Sequence, residues 1–168
     1  MRGRRVAGIV YAGFESTYAA DSIGGLELAQ FSAQTERMLS DSLPPFVAVN
    51  PFLDLTPMAD DALFERCIEL ALEDPGVDCL FISIVPHTVM LHTRREEMNN
   101  DRENIAFRII RQSQRSDKPM VVSVNAGTMY SPFVEALEEG GVPTFATAER
   151  AMNVLNRLVG YGLRRAGD

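Results

Sequence analysis

A parallel β-sheet covered by helices on both faces is the fold class this sequence predicts, and three observations carry it. Short apolar runs alternate with stretches of helical period along nearly the whole chain. One run, "CLFISIVP" from Cys79 to Pro86, is continuously apolar, as a strand covered on both faces must be. Glycine or proline stands at most junctions. Strands joined through helices pair in parallel, by right-handed crossovers that put helices on both sides of the sheet.

The elements follow in chain order. "RRVAGIVYAG" is a strand ending at Gly13, and "ESTYAADSIGG" a short helix closed by Gly24 and Gly25, where a left-handed C-cap falls. "LELAQF" is the second strand. "SAQTERMLSDSL" is a helix with Ser32 as its cap, stopped by Pro44 and Pro45. "FVAVNPFLDLTPMADD" is extended and broken by Pro51 and Pro57. In "DALFERCIELALED", Leu63, Cys67, Leu70 and Ala71 share one face, and Asp60 and Asp61 bring negative charge and a capping oxygen to the N-terminus. "PGVD" turns the chain into the third strand. "RENIAFRIIRQSQRS" is a helix with Ile105, Ala106, Ile109 and Ile110 inward and its arginines outward. "KPMVVSVNAG" is the fourth strand, and "SPFVEALEEGG" a helix with Ser131 at the cap, Pro132 at its first position and Gly140 or Gly141 at the stop. "VPTFAT" closes the sheet, and a last helix begins near Thr147. Five strands are too few for a double Rossmann unit, so the expected architecture is a flavodoxin-like three-layer sandwich with parallel strand order 2-1-3-4-5.

A chain of 168 residues suits one domain, read as residues 4–160 with a C-terminal tail at 161–168. With 46% hydrophobic and 23% charged residues it reads as a soluble globular protein. The formal net charge of −7 argues against a nucleic-acid partner, which would want a basic surface. The basic start "MRGRR" leads into an apolar stretch broken by glycines, so it reads as a first strand rather than a signal peptide. No run reaches the ~18 apolar residues of a membrane span. Cys67 and Cys79 stand apart in apolar segments, which points to two reduced core thiols and a cytoplasmic location.

In a sheet of this kind ligands bind beyond the carboxyl ends of the strands, where strand order reverses. That rule selects the tips "YAGFEST", "IVPHT" and "NAGTMY". Gly13 and Gly127 would let backbone approach a ligand, and the helices that follow offer unpaired amides to an anion. The bland alternative is that both glycines only make turns. A phosphorylatable receiver is excluded, because the acidic positions it needs hold Tyr11, Ala12 and Gly13, then Val85, Pro86 and His87. A flavin-phosphate loop fits poorly, with Phe14 and Glu15 beside Ser16 and Thr17. No Walker loop or GxGxxG is present. The two histidines, His87 and His92, lack metal-ligand spacing, so no metal is expected. His92 reads as structural or exposed. His87, at a strand tip, is either a hydrogen-bonded loop residue or a phosphate donor. Ser83 and Ser131 lie outside any GxSxG elbow, so no hydrolase is expected.

Several segments together resemble the nucleoside-diphosphate-forming acyl-CoA synthetases, the superfamily that includes succinyl-CoA synthetase. "RRVAGIVYAGFESTYAAD" resembles the opening strand and turn of the flavodoxin-like ligase-CoA domain, the type found at the carboxyl terminus of the succinyl-CoA synthetase β subunit. "LPPFVAVNPFLDLTPMADDALFERCIELALEDPGVDCLFISIVP" is similar to its "NPFLD"-containing segment, helix and third strand. "KPMVVSVNAG" and "GGVPTFATAERAMNVLNRL" are similar to its closing elements, so the resemblance runs from Arg4 to Leu158.

The resemblance implies a ligase domain of an ADP-forming, acetyl-CoA-type synthetase. Such a domain points a helix N-terminus at a phosphohistidine or acyl phosphate formed on partner domains, here the helix after "SIVPHT". It carries no catalytic residue of its own; the phosphorylated histidine belongs to another domain and is not His87. The implied crevice holds Tyr11, Gly13, Phe14, Pro86, His87, Thr88, Asn125 and Gly127, with Asn50 and Asp54 in support. No cofactor is expected on this domain; CoA, ATP or ADP and Mg would sit on CoA-binding and ATP-grasp partner domains or subunits, and homo-oligomerisation stays open. Family members often carry a glycine-rich turn where this chain has Val85-Pro86-His87-Thr88 and an insertion from Val89 to Asn100. Pro86 removes one amide donor there, which His87 or Thr88 would replace. The isolated chain is expected to be inactive. Two rivals remain, a non-catalytic binding or assembly module and a small flavin carrier.

Overall fold

The computed structural model describes residues 3–100 and 103–166. The chain forms β1 (Arg5–Val10), α1 (Gly13–Asp21), β2 (Glu27–Leu28), α2 (Ala33–Ser42) and β3 (Phe52–Asp54). After a 3-10 turn come α3 (Asp61–Glu73), β4 (Cys79–Ile84), the short α4 (Arg95–Asn100) and α5 (Ile105–Arg115). β5 (Met120–Val124), a second 3-10 turn, α6 (Ser131–Glu139), β6 (Thr144–Phe145) and α7 (Ala148–Ala166) complete it. All pairings are parallel, in the order β2-β1-β4-β5-β6, which is the expected 2-1-3-4-5 succession.

The expected count of five strands needs correction, because β3 is a sixth. It pairs with the second half of β1, beside β2 on the same edge: Gly8 is opposite Phe52 and Val10 opposite Asp54. Gly8 makes this possible. A Cβ there would lie 2.0 Å from the Phe52 ring, so only a glycine lets the phenyl group lie across β1. A strand of three residues, set between Pro51 and Pro57, is too short to show alternation, which is why this segment reads only as extended.

Strand parity sorts the core into two layers. Ala7, Ile9, Leu80, Ile82, Ile84 and Val122 face α2, α3, α5 and α6, where Leu39, Phe64, Ile109 and Phe133 are buried. Val6, Val10, Cys79, Phe81 and Val121 face α1 and α7, whose Ala19, Ala151, Met152, Leu155 and Val159 complete the second layer. Both cysteines are free and buried, and burial pushes each thiol up to about 12.

The helix ends follow local chemistry. Ser32 and Asp60 accept from the Thr35 and Leu63 amides, and Asn104 caps α5 through the Ala106 and Phe107 amides. At the end of α6, Gly141 is left-handed (φ 80°) and the Val142 amide donates to Leu137, a Schellman closure. Ser131 is not the cap expected of it: the 3-10 turn Thr128–Tyr130 runs into α6, so Ser131 is already helical and Tyr130 precedes it. Residues 161–166, read as tail, continue α7; residues 101, 102, 167 and 168 lie outside the described residues. Among the described residues no helix is long and apolar enough to cross a membrane.

Candidate functional site

Strand order reverses between β1 and β4: α1 leaves β1 for one face of the sheet, while the chain after β4 returns through α5 on the other. At this switch point the tips of β1, β4 and β5 meet. Their common floor is Glu15, a residue of the first turn of α1 whose side chain is fully buried. Its carboxylate accepts from Ser83 Oγ of β4 at 3.0 Å, from Ser123 Oγ of β5 at 3.4 Å and from Asn125 Nδ2 at 2.9 Å. Ser83 and Ser123 are register partners on the face toward α1.

Sequence reading treated Glu15 as mere bulk and missed it. The signal was present. Two serines stand in otherwise apolar buried strands, and buried hydroxyls need a shared polar partner.

The other expected site residues fall into three groups. Gly13 and Phe14 open α1 beside Asp54, whose Oδ2 would be 3.0 Å from a Gly13 Cβ, while Asp54 Oδ1 accepts from the Thr56 amide. No side chain caps this turn, and the Glu15 amide turns back to the Ala12 carbonyl. By helix geometry the Gly13 and Phe14 amides have no intrahelical acceptor. Asn125 meets this turn through Glu15.

Tyr11, Pro86 and Thr88 form a second group that serves the scaffold. Tyr11 is buried, donates to the Ala59 carbonyl at 2.9 Å and reaches Thr88 Oγ1 at 3.4 Å. Burial pushes its phenol up, against the lowering effect of the Thr88 hydrogen bond. Thr88 also donates to the Pro57 carbonyl, and Pro86 is buried with its carbonyl accepting from Thr93 Oγ1 at 3.4 Å. His87 is exposed and sets its ring edge-on to Tyr130, with centroids 5.1 Å apart.

Asn50 and Gly127 stand apart. Asn50 is exposed and bonds locally to the Ala48 carbonyl. Gly127 has φ −80° and open space where a Cβ would go; it borders a separate cleft of about 420 Å³ between β5, α6 and β6.

The helix expected after "SIVPHT", read from "RENIAFRIIRQSQRS", is α5, with Asn104 accepting from its Ala106 and Phe107 amides. The chain crosses the sheet edge as a strap from Val85 to Arg94 before the short α4. Just before α4, Glu97 Oε2 accepts from the Thr93 and Arg94 amides, and Glu97 Oε1 binds the Arg94 guanidinium at 2.6 Å. His92 pins the strap to α3, its Nδ1 2.5 Å from Asp61 Oδ2 and its amide donating to Asp61 Oδ1. Burial raises the Asp61 carboxyl, although its bonds to His92 work the other way. A charge network joins Glu65 of α3 to Arg108, Arg111 and Gln112 of α5. Among the described residues no group of three or more His, Cys, Asp or Glu side chains is arranged to hold a metal ion.

A parallel sheet whose β1, β4 and β5 tips meet at the switch point, beside the uncapped first turn of α1, defines an α/β domain. The chain belongs to the Ligase-CoA domain family, whose profile matches residues 6–166, and is a domain of the type found in nucleoside-diphosphate-forming acyl-CoA synthetases. It is 31% identical over 150 residues to the alpha subunit of the ADP-forming acetate–CoA ligase II of Pyrococcus furiosus, covering 88% of this chain and 32% of that one. It is 27% identical over 171 residues to the ADP-forming acetate–CoA ligase II of Archaeoglobus fulgidus, covering 98% of this chain and 24% of that protein. A crystal structure of a protein from Pyrococcus horikoshii OT3 superposes with TM-score 0.82 at 31% identity, over 94% of this chain and 36% of that one. An acetyl-coenzyme A synthetase 1 from Candidatus Korarchaeum cryptofilum, in complex with phosphate and ADP, shares the fold at TM-score 0.83 and 21% identity, over 98% of this chain and 34% of that one. The chain therefore spans about a third or less of the curated relatives it matches.

Proposed function

We propose that this chain is the ligase domain of an ADP-forming acyl-CoA synthetase of the acetyl-CoA type, and that it stabilises a phosphoryl group delivered by partner domains. The observation that carries the reading is the first turn of α1, which starts directly from the tip of β1 at the switch point with no side-chain cap. Two outward amides and the positive end of a nine-residue helix favour a phosphohistidine or acyl phosphate. Such donors are fixed before the reaction and stabilise charge without reorganising. On this reading the helix contributed is α1 rather than α5 after β4, because the Ala106 and Phe107 amides of α5 already donate to its cap Asn104.

CoA, ATP or ADP and Mg belong on the CoA-binding and ATP-grasp partners in this reading. Asp54 borders the α1 turn directly, and Asn125 meets it through Glu15. The test is reconstitution: the chain assembled with ATP-grasp and CoA-binding polypeptides should form acetyl-CoA, ADP and phosphate from acetate, CoA and ATP, whereas the chain alone should not. Turnover by the isolated chain, or an assembly whose rate is the same without it, would overturn the reading.

One observation favours a second reading, a non-catalytic assembly module. The β4 tip carries buried Pro86, and the strap behind it spends its polar groups internally. Under that reading the assembly would form but leave phosphoryl transfer to the partner histidine unchanged.

A further inference from the structure

Glu15 is the one fully buried carboxylate among the described residues, and it lies directly beneath the first turn of α1. Its surroundings fix more than its own place. A carboxylate can only accept, so the group that Asn125 turns toward Glu15 Oε1 must be its amide nitrogen. The Asn125 Nδ2 to Glu15 Oε1 contact of 2.9 Å therefore sets which way round the amide stands. Asn125 is otherwise exposed, so its Oδ1 and second N–H are offered at the crevice mouth. Glu15 is itself held on the other side by Ser83 and Ser123.

We infer that Glu15 is a positioning residue: resting on the reading of the crevice as a phosphoryl site, it clamps the first turn of α1 to β4 and β5 and aims the Asn125 N–H at the incoming phosphoryl oxygen. Glu15 touches no ligand in this arrangement. It acts through Asn125 and through the Gly13 and Phe14 amides, whose aim depends on where the first turn sits. Misplacing donors of this kind by an ångström costs reaction rate rather than substrate affinity.

The experiment uses the chain in its assembly with ATP-grasp and CoA-binding polypeptides, and measures acetyl-CoA formation alongside thermal unfolding. Glu15→Gln keeps the shape but presents an amide whose orientation no longer dictates that of Asn125. It should lower kcat by about 10-fold or more with KM for acetate and CoA unchanged. Asn125→Ala should lower kcat similarly. In the Asn125→Ala background, Glu15→Gln should still lower the melting temperature yet cost less than about threefold further in kcat, because part of its effect passes through Asn125. Ser83→Ala, which loosens only the far side of the clamp, gives a milder variant should Glu15→Gln fold poorly, and should show the same kcat-only pattern. Losses that multiply in the double variant, or a kcat for Glu15→Gln and Ser83→Ala within twofold of the parent, would make Glu15 a packing residue and overturn the inference. A parent assembly without synthetase activity would instead overturn the underlying reading, and the inference would fall with it.

Discussion

At the scale of single residues, the fold places carboxylates where only a matched donor set makes them tolerable. Asp78 shows this at the sheet's opposite end. Its side chain is 2% exposed and takes the Arg5 guanidinium at 2.8 Å and the Arg5 amide at 3.0 Å. The Arg5 hydrogen bond holds the Asp78 carboxyl below its usual range, although burial pulls the other way. A folded carboxyl depressed in this way lends stability that is complete above the unfolded value of about 4 and disappears as pH falls through the lower folded value. Asp78→Asn should therefore cost about 2 kcal/mol at neutral pH. Thermal melts followed into acid should show the parent losing ground to the variant below about pH 4, until the two converge; a constant gap would discount the ion pair. Glu15 illustrates what such residues hide from sequence. Its partners come from β4 and from β5 with its tip, both far from Glu15 in the chain, so only Ser83 and Ser123, polar in apolar strands, hinted that a carboxylate was needed.

At the scale of elements, legibility tracked length and periodicity. The continuous run of β4, the amphipathic stripe of α3 and the cap residues Ser32 and Asp60 could be read because each is a local pattern with a local cause. β3 could not, since its evidence is a missing side chain at Gly8, forty-four residues before Phe52. Gly8→Ala should thus act on β3 specifically, forcing the Phe52 ring off β1 at a cost of about 2 kcal/mol. Amide exchange should then quicken at Gly8 and Leu55, whose bonds to Pro51 and Val10 tie the two strands, while β5 is untouched. Uniform acceleration across the sheet would count against a local role. The strap from Val85 to Arg94 was legible only as an insertion, because its anchors are tertiary: Thr88 to Pro57 and His92 to Asp61. His92→Ala leaves Asp61 buried without its imidazole partner and should destabilise by about 1–2 kcal/mol. The sign to look for is faster exchange at the Met90 to Arg94 amides with the strands still protected. A strap as slow to exchange as in the parent would show that His92 does not hold it.

At the scale of the whole molecule, the proposed crevice offers two uncapped helix amides on a protein of net charge −7. On the proposed reading the Gly13 and Phe14 amides would draw an anion in, but Asp54 stands beside them and Glu15 beneath. Beyond the crevice, the remaining field repels. Free phosphate should consequently bind poorly, with a dissociation constant no tighter than about 1 mM, or about −4 kcal/mol. The same group carried by a partner histidine escapes that limit, since attachment replaces bulk concentration with a local one. Salt separates this arrangement from an ordinary basic site. Raising ionic strength from about 0.01 to 0.15 M shortens the screening length from about 30 to 8 Å. Such screening removes long-range repulsion while sparing the contact with the amides. Phosphate titrated into the isolated chain should shift the Gly13 and Phe14 amide resonances, and its apparent affinity should hold or improve as salt rises. Affinity that falls steeply with salt, or shifts centred on Arg94 and Arg95 instead, would mean that the anion is recognised by side-chain charge and that the α1 turn is not the group that receives it.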